Sequence, residues 1–184
     1  MSILNSILKT FIGDKTKKDL SKITPLVSRI NDYQKSFESL SHDQLRRKTF
    51  EFKSLLAKGN ISFIENINSL NAQVQETNDL DKKESIYKQI DQENQASQSN
   101  AETILNSILP EAFAVVKETA RRFVMNQQIE VTATSYDRGL SQSKTYVQLK
   151  GDNAIWSNSW DAAGKPIIWD MIHYDVQLIG GITL

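Results

Sequence analysis

There is no cysteine in these 184 residues, so disulfides and thiolate metal sites are excluded, and with them a small secreted scaffold held by bridges. Histidine is scarce, with only His42 and His173 far apart in sequence, too few to suggest a metal centre or a catalytic triad. No apolar run approaches the roughly 18 residues that a membrane span needs. The start also lacks a basic segment followed by a continuous apolar stretch and a small-residue cleavage site, so no secretory leader is read there. With 39% hydrophobic residues, composition fits a soluble chain that buries one moderate core, or a helical body with a small appended module.

Net charge is also missing, but the zero hides a split. Residues 1–58 hold 12 Lys/Arg against 6 Asp/Glu, and the remainder holds 10 against 16. A basic front suits anionic lipid or nucleic acid, and it equally suits a solvated helix face.

What is present is mostly helical periodicity. Ile3, Leu4, Ile7, Leu8, Phe11 and Ile12 recur at helical spacing opposite polar residues, and Gly13 with the following lysines marks the end of a short amphipathic helix. Its stripe fits an anionic bilayer or a partner's groove, or simply its own domain. Thr24 and Pro25 fit the N-cap and first position of a second helix carrying Leu26, Ile30, Tyr33 or Phe37, and Leu40. Residues 41–44, Ser-His-Asp-Gln, form a capping box that opens a third helix through Leu45, Phe52, Leu55 and Leu56, expected to stop at Gly59. Residues 60–95 read as a polar helical hairpin projecting into solvent. Residues 92–100, rich in Gln, Asn and Ser, read as a loop or frayed helix end. Order resumes at Ile104, and Pro110 is expected to start or kink the helix that carries Phe113, Val116, Ala120 and Phe123.

Beyond Phe123 the period changes to two. Ile129, Val131 and Ala133 alternate, as do Val147 and Leu149, and residues 154–156 and 167–169 suggest two further strands. Turns are expected at residues 137–139, 151–153 and 161–164. The result is a small meander carrying all three tryptophans, whose rings are read as a mini-core in preference to a ligand cage.

Four segments in order resemble the SecA preprotein translocase family. These are Lys9-Thr10-Phe11-Ile12-Gly13; residues 37–59, FESLSHDQLRRKTFEFKSLLAKG; residues 109–123, LPEAFAVVKETARRF; and residues 171–184, MIHYDVQLIGGITL. The last two are the most specific. Residues 60–100 and 126–168 depart from the family pattern and read as insertions. Periodicity and the resemblance together lead to the expectation of a mainly α-helical fold with a small antiparallel β insertion (α+β), the resemblance implying the N-terminal part of a SecA-like RecA-type motor lacking the central parallel sheet. The expected organisation is an amphipathic helix at 1–13, a helical segment at 14–59, an inserted hairpin and loop at 60–100, a helix at 101–125, a β-rich insertion at 126–168 and a Q-motif segment at 169–184 that starts the first nucleotide-binding domain.

By the same resemblance, ATP with magnesium is the cofactor of the full-length protein, and Gln177 is the residue that reads adenine. A glutamine amide offers a donor and an acceptor side by side, matching N7 and N6 of adenine, where guanine presents two acceptors. Met171 and Tyr174 are placed to pack on the base, and Asp175 is read as an N-cap. No Gly-x-x-x-x-Gly-Lys-Ser/Thr loop occurs, so the chain is expected to be an N-terminal fragment, inactive by itself in hydrolysis. No nucleophile and base pairing suggests another chemistry. Implied partners are the SecY channel complex, preproteins, anionic lipids through the N-terminal helix and a second copy of the protein, with no nucleic acid. The implied location is the cytoplasm, peripherally on the inner face of the plasma membrane. The alternative is a stand-alone helical interaction module without nucleotide chemistry.

Overall fold

A computed structural model describes residues 14–184; the amphipathic helix expected at residues 1–13 lies outside them. The order is α1 (Asp14–Phe37), α2 (His42–Glu76), α3 (Leu80–Met125), β1 (Gln128–Thr132), α4 (Ser135–Leu140), β2 (Val147–Lys150), β3 (Asn153–Ser157), β4 (Ser159–Ala162), β5 (Lys165–Ile168) and α5 (Asp175–Thr183). The chain is mainly helical, and every strand pairing among the described residues is antiparallel. It divides into two compact units, residues 14–46 with 113–184, and Arg47–Ala112.

The second unit is a helical hairpin made by α2 and α3, turning at residues 77–79. Asp79 caps α3, its Oδ1 accepting from the amides of Asp81 (3.0 Å) and Lys82 (3.3 Å). Gly59 does not end a helix, and α2 runs on to Glu76. The glycine serves a close helix–helix approach instead, since a Cβ there would collide with Cδ1 of Ile104. Its carbonyl accepts from Asn100 Nδ2 at 2.9 Å, and the same amide reaches Asn60 Oδ1 at 3.1 Å. Residues 92–100 are correspondingly continuous helix, neither the loop nor the frayed end expected from their composition, because their side chains bond across the hairpin and along the helix. Pro110 begins no helix; it is buried inside α3.

In the first unit, Pro25 likewise lies inside α1. Thr24, expected as an N-cap, donates its hydroxyl to the Leu20 carbonyl one turn back (2.7 Å). The expected capping box at the start of α2 is present, with Ser41 N–H donating to Gln44 Oε1 (2.8 Å) and Gln44 N–H to Ser41 Oγ (3.2 Å). Val27, Ile30, Phe37, Leu45, Ala114, Ala120 and Leu178 are buried.

A network of buried charged and polar groups crosses this core, centred on Glu118 and Arg122. Glu118 on α3 is fully buried and receives Arg122 Nε (2.8 Å), Arg121 Nε (2.7 Å) and Gln34 Nε2 of α1 (2.8 Å). The Arg122 guanidinium continues to the carbonyls of Phe37 (2.8 Å) and Leu40 (2.7 Å), covering the C-terminal end of α1. It also contacts His42 Nδ1 at 3.0 Å. Burial and the Arg122 charge lower the His42 pKa against Asp43 and Glu118, which favours a neutral ring accepting from the guanidinium.

The strands do not make one meander. Three form a sheet in the order β1-β3-β2, and β4 with β5 forms a separate ribbon. The reason is α4, which replaces the turn expected at residues 137–139. Thr134 caps it, its N–H donating to Asp137 Oδ2 (2.7 Å) while Asp137 N–H donates to Thr134 Oγ1 (3.4 Å). The chain between β1 and β2 is thereby occupied by a helix, and β3 inserts between those two strands. Ile129, Val131 and Ala154 form the sheet's small core with Phe123, Ala133 and Trp156 packed on it. The expected turns at Gly151 (φ 62°) and at Ala163-Gly164 (φ 54° and 79°) are present, the latter joining β4 and β5 by two residues in left-handed conformation.

Candidate functional site

The residues proposed to meet a base lie at the start of α5, and their placement follows from how that helix is held. Leu178 is buried, and Gly181 lies against Phe113 of α3, where a Cβ would come within 3.0 Å of the ring. Asp175 is not the N-cap, a position that Tyr174 takes in extended conformation. As the first helical residue, Asp175 places its charge in the first turn, where the helix dipole favours it. Its Oδ1 accepts from Asn31 Nδ2 of α1 at 3.1 Å and lies 3.7 Å from Lys117 Nζ, which itself donates to Asn31 Oδ1 at 2.7 Å. α5 is thus pinned to α1 and α3 by an amide, a carboxylate and an ammonium.

Gln177 occupies the third helical position and reaches back. Its Oε1 accepts from the Tyr174 N–H at 2.8 Å, which is the glutamine half of a capping box. This bond decides which way the amide faces: the oxygen is drawn to the helix start, and Nε2 is left directed toward Met171 Sδ, 3.6 Å away. Gln177, Tyr174 and Met171 are all exposed, the tyrosine 71% and the methionine 37%. The three therefore stand together, with one amide donor and one free lone pair on Oε1. Among the described residues no cluster of three or more His, Asp or Glu could hold a metal ion, and the sequence contains no Gly-x-x-x-x-Gly-Lys-Ser/Thr loop.

Nothing in the sequence pointed to Asn31 or Lys117. Lys117 falls inside the LPEAFAVVKETARRF segment, but its partners are 86 positions away at Asn31 and 58 at Asp175, so only the folded chain brings them together. His173, for which sequence offered no catalytic role, has Nδ1 buried without a hydrogen-bond partner. Among the described residues no helix is long and apolar enough to cross a membrane.

Residues 8–184 match the family model of the SecA DEAD-like domain. The whole chain is similar to the protein translocase subunit SecA of Christiangramia forsetii, with 53% identity over 184 residues, and to that of Flavobacterium psychrophilum, with 50%. It is also similar to the SecA subunit of Azobacteroides pseudotrichonymphae, with 43% identity over 180 residues. The chain spans about 16% of the length of each of these relatives. No solved structure matches it significantly. With a domain model covering nearly every residue and half of all positions shared with named relatives, the chain belongs to the SecA family.

Proposed function

We propose that this chain is the N-terminal part of an ATP-driven SecA motor that moves preproteins through the SecY channel, and that Gln177 is its adenine reader. The observation that supports the reading is the Tyr174 N–H to Gln177 Oε1 bond, which turns the amide oxygen toward the helix start and the nitrogen away from it. With the oxygen held at the helix start, its second lone pair accepts from the adenine N6 amino group while Nε2 donates to N7. Guanine would set its O6 acceptor against Oε1, a mismatch costing about 1–3 kcal/mol. Met171 and Tyr174 pack against the base, a thioether and a ring being suited to an aromatic face.

When bound, ATP supplies the free energy of phosphoanhydride hydrolysis. The phosphates and magnesium are held by residues that these 184 do not include, so the segment binds and orients the base and does not hydrolyse by itself. Residues 60–100 and 126–168 are insertions relative to the general family. The basic amphipathic segment 1–13, with its following lysines, contacts acidic lipid and the channel, which places the protein on the cytoplasmic face of the membrane. The protein pairs with a second copy and binds no nucleic acid. Flotation of a peptide of residues 1–25 with anionic but not neutral vesicles is the expected result for the lipid contact, and equal flotation with both would count against it.

In the full-length protein, Gln177→Ala is expected to raise the Kd for ATP about tenfold while leaving GTP binding unchanged, removing base discrimination. An unaltered ATP-to-GTP ratio in titration calorimetry would remove the base-reading role.

A further inference from the structure

The aromatic residues of the β-rich region do not close into a filled core. Trp156 packs on the sheet core, and its Nε1 donates to Asp137 Oδ1 at 3.1 Å. Between Trp156 and the β4–β5 ribbon lies an open cleft of about 320 Å³, walled by Phe123, Tyr146, Trp156, Trp160 and Trp169, with Asn158 at its polar side. Two tilted ring pairs face it, Tyr146 with Trp156 (centroids 6.3 Å apart) and Trp160 with Trp169 (6.5 Å). Pairing places Trp160 opposite Ile167, and the Trp169 N–H to Asn158 carbonyl bond (2.8 Å) makes those two residues the next pair, so Trp160 and Trp169 share one face of the ribbon. The cleft is a gap between two sheet faces, each presenting ring carbon.

We propose that this cleft takes a bulky apolar side chain of an extended polypeptide supplied from outside this chain. No charged side chain lines it, so an ionic ligand would lose its hydration without a counter-charge. Its volume sits at the low end of ligand pockets, with room for one or two large side chains and not for a cofactor.

The ribbon specifies a peptide over a free aromatic molecule. In the alternating ladder set by the Asn158–Trp169 bond, Ser159 and Asp161 of β4 and Pro166 and Ile168 of β5 point their backbone groups outward. Pro166 has no N–H and blunts the β5 edge. The Ser159 N–H is taken by Ser157 Oγ at 3.2 Å. That leaves both backbone groups of Asp161 and the Ser159 carbonyl on β4, beside Trp160. An extended strand pairing there satisfies them and directs alternate side chains to the tryptophan face.

All three tryptophans of the chain line the cleft, so their emission reports its occupancy directly. The test titrates residues 1–184 with a blocked peptide Ser-Gly-Leu-Phe-Leu-Gly-Ser, with its Leu-Phe-Leu replaced by serines as control. A saturable emission change with the apolar peptide alone is expected, together with slower amide exchange at Asp161. Trp160→Leu should weaken binding at least about tenfold; should that variant disturb the fold, Tyr146→Ala tests the opposite wall. The proposal fails if the serine peptide acts equally, if free indole binds as tightly as the apolar peptide, or if neither variant changes affinity. It also fails if the full-length protein, unlike residues 1–184, does not bind the peptide, for its own chain would then fill the cleft.

Discussion

Glu118→Ala is expected to lower the unfolding free energy by about 3–5 kcal/mol, read from the midpoint of urea unfolding followed by far-UV circular dichroism. The side chain is fully buried and accepts from Arg121, Arg122 and Gln34. Its removal strands the Arg122 guanidinium, itself only 7% exposed, without a counter-charge, and leaves a Gln34 amide donor unpaired. An unpaired buried ion costs far more than the net worth of the pair, which is why the loss exceeds that of an ordinary surface bridge.

Acid should act on the same group. Burial by itself would raise the Glu118 carboxyl, but hydrogen bonds from Arg121, Arg122 and Gln34 outweigh it and hold the pKa at about 2. A carboxylate with a depressed folded-state pKa contributes stability that is complete above its ordinary value near 4.5 and is lost as pH falls from there toward 2. The parent should therefore lose stability across that window, and Glu118→Ala should show a flatter acid limb. A loss below about 1 kcal/mol with an unchanged acid limb would show that the network is not a stabilising element.

Asp137→Ala is expected to cost about 2–4 kcal/mol and to change tryptophan emission as well. This carboxylate is also fully buried, and it accepts from Arg46 Nη2 (2.8 Å), Thr134 N–H (2.7 Å), Thr134 Oγ1 (2.7 Å) and Trp156 Nε1 (3.1 Å). It caps α4, anchors the sheet's tryptophan and ties both to the start of α2. Asp137→Asn keeps the shape but turns an NH2 donor toward either Arg46 and Trp156 or the Thr134 N–H, besides losing the charge, so a loss approaching that of the alanine variant is expected. Equal stability of Asp137→Ala and the parent would show that the capping box and the Arg46 contact contribute nothing measurable.

Features that depend on neighbours in sequence were legible. The Ser41–Gln44 capping box, the alternation of Ile129 and Val131, and the turns at Gly151 and Gly164 each involve residues within a few positions, where local geometry decides the outcome. Element ends were read less well. Gly59, Pro25 and the polar run at residues 92–100 look like breaks in a single helix considered alone, yet all three lie within helices. For Gly59 and Asn100 the reason is a partner helix: the missing Cβ admits Ile104, and the Asn100 amide bonds the Gly59 carbonyl. Asp137 read as a turn residue because its buried partners Arg46 and Trp156 are 91 and 19 positions away.

The sequence by itself determined the helical character, the switch to strands after Phe123, the family and the placement of Gln177 at a helix start, because each is written in periodicity or in a contiguous motif. Only the tertiary structure decided which carboxylates are buried with which cations, that Asn31 and Lys117 hold Asp175, and that the tryptophans line a cleft instead of filling it. Those outcomes depend on distances between residues tens of positions apart, and such distances are set by packing and desolvation, which no linear pattern records.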